Sequence, residues 1–266
     1  IGKERGSSGA PNFTDRLRGA IYELLSSGTA VEAAFANDLT AFGMDGFTLG
    51  SGASGQKNTN TSTYIEACLR RAPGVFDEVC YTGAASPQTV AHGLGVIPAM
   101  IIVKCRSGGA YDWTVLHSGL ATTSAEFIVL NTEGAKTTSN GTFGSTNPTS
   151  TVFTVHSSFQ TNGGTGYTYV AYLFATLAGI SKVGSYTGNG SSQTINCGFS
   201  AGARFILIKC TDAIGYWYVW DTVRGIIAGN DPHLSLNTTA IEVTTDDSID
   251  IDASGFIVNQ LAATDI

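Results

Sequence analysis

Apolar residues along this chain come in short runs with strand character, not in helical stripes. Segments 98–104, 113–116, 126–130, 152–155 and 167–174 are rich in Val, Ile, Phe, Tyr and Thr, residues that suit a pleated, half-buried surface. Segments 204–209, 216–220 and 249–251 continue the series. Turn signals separate the runs: Gly108-Gly109, Gly163-Gly164, Gly188-Asn189-Gly190 and Ser254-Gly255. Many short strands without helical spacers predict antiparallel sheets packed as a sandwich or jelly roll. One stripe competes with this picture: Val31, Ala34, Phe35 and Asp38 would share a helix face within 29–39. The segments that match it further along, 134–138 and 239–243, read as extended, which outweighs the helical reading.

The pattern also repeats. Asp15-Arg16-Leu17-Arg18-Gly19 corresponds to His117-Ser118-Gly119 and to Asp221-Thr222-Val223-Arg224-Gly225. Thr63-Tyr64-Ile65 corresponds to Thr168-Tyr169-Val170, and Ile101-Ile102-Val103-Lys104-Cys105 to Ile206-Leu207-Ile208-Lys209-Cys210. The period is about 105 residues, the signature of similar modules in series. The sequence therefore predicts an all-β chain of tandem antiparallel β-sandwich, jelly-roll-like modules: 1–73, a module whose start is missing; 74–181, a complete one; and 182–266, one whose end is missing. The second and third open on Tyr-Thr-Gly, at Tyr81 and Tyr186, and the first does not. The third stops at Asp265, before a Thr-Tyr strand like those at Thr63 and Thr168. The chain reads as a window from a longer polypeptide.

Aligning the repeats assigns strand faces. Trp217 and Val219 keep the types of Trp113 and Val115, so that phase should face the core. Tyr216, Tyr218 and Trp220 then point outward, where the second module has Asp112, Thr114 and Leu116. This aromatic triplet is the candidate contact surface: an interface with a neighbouring module or subunit, or else a glycan platform.

Composition narrows the partners. Only 13% of the 266 residues are charged, and the net charge is −7, which argues against binding nucleic acid, where Lys and Arg must meet phosphate. No apolar run approaches the roughly 18 residues of a membrane span. The five cysteines, Cys68, Cys80, Cys105, Cys197 and Cys210, form no metal-ligand spacing. Free thiols are the favoured reading, with a Cys68–Cys80 disulfide as the alternative.

Catalytic chemistry finds no foothold. His92, His117, His156 and His233 have no carboxylate or thiol partner at a motif spacing, and no Gly-x-Ser-x-Gly elbow occurs. The expectation is no enzyme, no catalytic residue and no cofactor. The richest acidic stretch holds Asp246, Asp247, Asp250 and Asp252; alternating with Ile249 and Ile251, it reads as a half-exposed strand, with a calcium site as the weaker alternative. Asp15 with Arg18, and Asp221 with Arg224, should form local ion pairs pinning a loop, worth ~0–1 kcal/mol if exposed.

With these residues in view, the chain resembles a family of β-rich repeats in tailed-bacteriophage virion proteins, variously tail fibres, tail spikes and minor structural proteins. The resemblance is carried by Trp217-x-x-x-Asp221-x-x-Arg224-Gly225, Leu236-Asn237-Thr238, Ser254-Gly255-Phe256, Thr168-Tyr169-Val170-Ala171-Tyr172 and Gly184-Ser185-Tyr186-Thr187-Gly188-Asn189-Gly190. The first module departs from it, with Pro11 at the Trp position and Glu66 in the closing strand. The resemblance implies a virion structural protein: a tail fibre or receptor-binding appendage, a homotrimer meeting a host receptor or glycan and other virion proteins. The alternatives are a head fibre, a capsid-decoration or baseplate component, or a secreted lectin-like protein.

Overall fold

In the computed structural model, residues 1–52, 57–120 and 125–259 are described. The all-β, antiparallel expectation holds. Segment 1–73 contributes β1 (Gly2–Glu4), β2 (Asn12–Phe13), β3 (Tyr22–Leu25), β4 (Ala33–Ala34), β5 (Leu39–Phe42), β6 (Phe47–Leu49) and β7 (Tyr64–Glu66). They form a sheet ordered β4-β3-β2-β1-β7 and a β5–β6 hairpin. Segment 74–181 contributes β8 (Phe76–Thr82), β9 (Gln88–Ala91), β10 (Met100–Ser107), β11 (Thr114–His117), β12 (Glu126–Val129), β13 (Thr137–Thr138), β14 (Val152–Val155), α1 (Phe159–Asn162) and β15 (Thr168–Phe174). Its sheet runs β13-β12-β11-β10-β15-β8, with β14–β9 as a second layer. Segment 182–266 contributes β16 (Gln193–Asn196), β17 (Phe205–Ile208), β18 (Tyr218–Asp221), β19 (Leu234–Ser235), β20 (Ile249–Asp252) and β21 (Gly255–Val258), in two three-stranded sheets, β17-β18-β19 and β16-β21-β20.

Every strand pairing among the described residues stays inside one segment, and equivalent strands keep equivalent registers. Lys3 lies opposite Ile65 as Lys104 lies opposite Val170. Ile102 lies opposite Val115 as Leu207 lies opposite Val219. Segment 29–39 is extended rather than helical. Ala33 and Ala34 pair with Glu23 and Tyr22, and Glu32 N–H donates to Arg106 O at 3.0 Å, so these groups are committed outward rather than along a helix.

Side-chain alternation gives each strand two destinations. In β10, Ile101 and Val103 enter a core of the middle segment with Phe127, Phe153 and Tyr169, closed by the β14–β9 layer. In β18, Tyr218 and Trp220 enter a core of the last segment with Ile206, Ile249 and Phe256. The opposite faces meet in a third cluster drawn from all three segments: Phe13 and Leu24; Ile102, Trp113, Val115, Ile128 and Tyr172; Trp217, Val219 and Leu236. The segments are therefore gathered round a common apolar centre instead of being strung out as a simple series. The first segment differs inside. Where the middle segment has Cys105, Thr114 and Phe127, the matching register positions are Glu4, Asn12 and Glu23, all buried. Lys57 sits among them, 3.8 Å from Glu23 and 3.4 Å from Glu66, and donates to Asn12.

Candidate functional site at the segment junctions

The polar side chains of matching positions converge where segments meet. Lys104 Nζ donates to Thr29 O at 2.8 Å, Lys209 Nζ to Glu133 O at 3.1 Å, and Lys3 Nζ to Thr238 O at 3.3 Å. The Trp113 indole N–H donates to Leu25 O, and that of Trp217 to Val129 O, both at 3.1 Å. Pro11 stands at the tryptophan position of the first segment; there Ser26 Oγ donates to Leu236 O at 2.5 Å. Backbone bonds follow the same circuit: Glu32 N to Arg106 O, Lys136 N to Thr211 O, and Glu242 N to Arg5 O. The first segment thus touches the second, the second the third, and the third the first. Ion pairs reinforce two of the junctions, Arg106–Glu32 at 2.9 Å and Arg5–Glu242 at 2.8 Å. Burial pushes Lys3 and Lys104 down to about 8, because the interior disfavours an ammonium whose partners are carbonyls rather than carboxylates.

The Asp-x-x-Arg-Gly elements sit beside this centre, and their local ion pairs form as expected, buried rather than exposed. The Arg18 and Arg224 side chains are 0% and 1% accessible. Arg18 Nε donates to Asp15 Oδ2 at 2.5 Å, and Arg224 Nε to Asp221 Oδ2 at 2.6 Å. Each Arg also donates to a strand carbonyl, Phe13 O at 2.7 Å and Val219 O at 2.8 Å, and to a glutamate, Glu32 at 3.0 Å and Glu242 at 3.3 Å. The cause is local: Asp and Arg are three residues apart on the turn leaving β2 or β18, and the turn folds the guanidinium back over its own strand. Such a pair is fixed by full hydrogen bonding, and removal of either partner strands a buried charge. At the Arg18 site the Tyr172 hydroxyl donates to Asp15 Oδ2 at 2.8 Å and accepts from Arg18 Nη2 at 3.1 Å. Burial holds Tyr172 well above its ordinary value, so the phenol is neutral. Burial alone would push Arg18 down; Tyr172 and Asp15 hold it above its ordinary value.

The other candidates fall as follows. Tyr218 and Trp220 do not lie on a free surface: they are 6% and 0% exposed within the core of the last segment. Tyr216 is half-buried at the edge of that cluster, against Tyr218. The phase of Trp217 and Val219 is as expected, but the opposite face is covered by the β16-β21-β20 sheet. The acidic stretch is dispersed: Asp247 and Asp250 both accept from Asn259, Asp252 accepts from the Ser254 turn, and Asp246 lies 3.9 Å from His233. Among the described residues no group of three or more His, Cys, Asp or Glu side chains could hold a metal ion. All five cysteines are free thiols, Cys68 and Cys80 exposed. No helix is long and apolar enough to cross a membrane among the described residues.

Sequence reasoning missed two features. One is the buried charge around Lys57, signalled by Glu and Asn at strand positions that are apolar or neutral in the middle segment. The other is a cavity of about 270 Å³ at the third-to-first junction, lined by Ala67, Phe205, Val219, Asp221, Arg224 and Leu236 among others.

A family model described as a domain of unknown function, DUF7483, matches residues 2–264. The chain, all-β and built round these junctions, belongs to that family. No curated protein and no solved structure matches it.

Proposed function

We propose that this is a structural protein of a bacteriophage virion, a tail fibre or receptor-binding appendage that presents a stiff β-rich body to the host surface without enzymatic turnover. The observation that carries the reading, beside the sequence resemblance, is how polar chemistry is used. Lys104 and Lys209, and the indoles of Trp113 and Trp217, are spent on carbonyls of the adjoining segment. Construction of this kind favours a rigid scaffold over a reaction centre. In this reading the protein is assembled in the host cytoplasm, resides in the virion, and touches copies of itself and other virion proteins.

Antibodies raised against the purified chain test the assignment by electron microscopy of intact particles. Labelling of tail appendages is the expected result. Labelling of the head or baseplate would move the protein to a decoration or baseplate role, and the absence of any virion labelling would overturn the virion reading. Incubation with host envelope polysaccharide is expected to release no reducing ends; release abolished by replacing one Asp or Glu would reveal an enzyme.

A further inference from the structure

The cavity at the third-to-first junction has a filled counterpart in the same molecule. In the middle segment, Ile102 lies opposite Tyr172 across β10 and β15. In the first segment the same register places Ile1 opposite Ala67: Ala67 N donates to Ile1 O at 2.8 Å, and Ile1 N to Ala67 O at 3.0 Å. Ala67 therefore occupies the position of Tyr172. The wall it faces is also equivalent, since Val219, Asp221 and Arg224 match Phe13, Asp15 and Arg18. Tyr172 fills its junction with a ring 5.6 Å from that of Phe13 and ties its hydroxyl to Asp15 and Arg18. At the other junction the Asp–Arg pair is folded the same way, but among the described residues no tyrosine hydroxyl bonds to it. The remaining Nη2 hydrogen of Arg224 has no acceptor among the described residues. The space left is about 270 Å³, where an apolar cavity of roughly 150 Å³ already admits a benzene ring.

The geometry points to a binding site for a p-hydroxyphenyl group in this cavity, its hydroxyl donating to Asp221 Oδ2 and accepting from Arg224 Nη2, its ring lying on Val219 and Leu236. The route in is apolar. Leu69, Phe205 and Val223 stand at the mouth with 48%, 43% and 80% exposure, a concentration of exposed apolar side chains that marks a contact surface. A neutral phenol fits the polar end, because a carboxylate there would meet Asp221 and an ammonium would meet Arg224.

Titration of the intact chain with p-cresol, followed by ligand-observed NMR and calorimetry, tests the site. Saturable binding is expected, with 4-methylanisole bound at least about tenfold more weakly because its ether cannot donate to Asp221. Ala67→Tyr should place a tyrosine ring where Tyr172 has one, raise the melting temperature and abolish p-cresol binding. Ala67→Leu, which fills the space without a hydroxyl, should also abolish binding and guards against a variant that fails to fold. N-acetyltyrosine amide assigns the source: tighter binding than p-cresol indicates a tyrosyl residue of a partner, weaker binding a free small phenol. No saturable p-cresol binding, equal affinity for the methyl ether, or binding that survives both Ala67 variants would overturn the site.

Discussion

Two buried glutamates make stability depend on pH. Burial pushes Glu23 up to about 7, assisted by the charges of Asp38 and Glu66 and opposed by Lys57; burial, then Asp15, does the same for Glu78. A carboxyl raised in the folded state binds more protons there than in the unfolded chain between its unfolded value, about 4.3, and its folded one. Stability therefore falls as pH rises through that window. Thermal denaturation is expected to show a lower melting temperature near pH 8 than near pH 5, and Glu23→Gln should shrink the difference. A melting temperature that climbs steadily from pH 5 to 8 would count against the burial argument. At this scale the sequence was partly legible. The polar positions in β1, β2 and β3 were visible, but nothing local showed that they faced inward, because a Glu or Asn in a strand of two to four residues looks the same in either phase.

Among the elements, β18 carries the clearest lesson. The repeat placed Trp217 and Val219 correctly in the shared cluster, and the alternation rule then sent Tyr218 and Trp220 to the other face. That step was right; equating the other face with solvent was not. A strand between two layers buries both phases, and its near-continuous run of aromatics was itself the signal. Trp220→Ala is expected to destabilise the protein by about 3–5 kcal/mol in chemical denaturation, the cost of a large buried ring, and not to act as a surface contact mutation. Loss of less than ~1 kcal/mol would restore the contact-surface interpretation. The strand content and the turn positions were readable because propensity, period and turn chemistry agreed there; the extended conformation of 29–39 was readable only from its matching segments, against its own helical period. The Asp–Arg pairs were read at the right spacing, but their burial was not legible, since exposure is decided by the neighbouring segment.

For the whole molecule, the unreadable part was closure. Arg5 and Glu242 pair across 237 positions in the chain, and no local pattern announces such a contact. The oligomer expected from the sequence rested on strand edges left open by incomplete modules, and its threefold form on the resemblance. Among the described residues, β17 is hydrogen-bonded to β18 alone and β7 to β1 alone. Open edges invite pairing between chains, so a native mass of three chains remains our proposal for the assembled state. The circuit of junctions already supplies a three-way closure inside one chain, however, and a persistent single-chain mass at micromolar concentration would mean that this closure suffices.

That circuit also decides how the protein carries load. Two of its three junctions are bridged by the covalent chain, whereas the third, between the Arg5 and Glu242 regions, is held among the described residues by side-chain contacts and a backbone bond. A pull applied to the ends falls first on that clasp, which can part while the sheets of each segment stay intact. Force spectroscopy on the tethered chain should record an early, low-force lengthening before the sheets rupture, and Glu242→Gln should lower that first threshold while leaving the later ones in place. The molecule would behave as a closed buckle that yields before its strap.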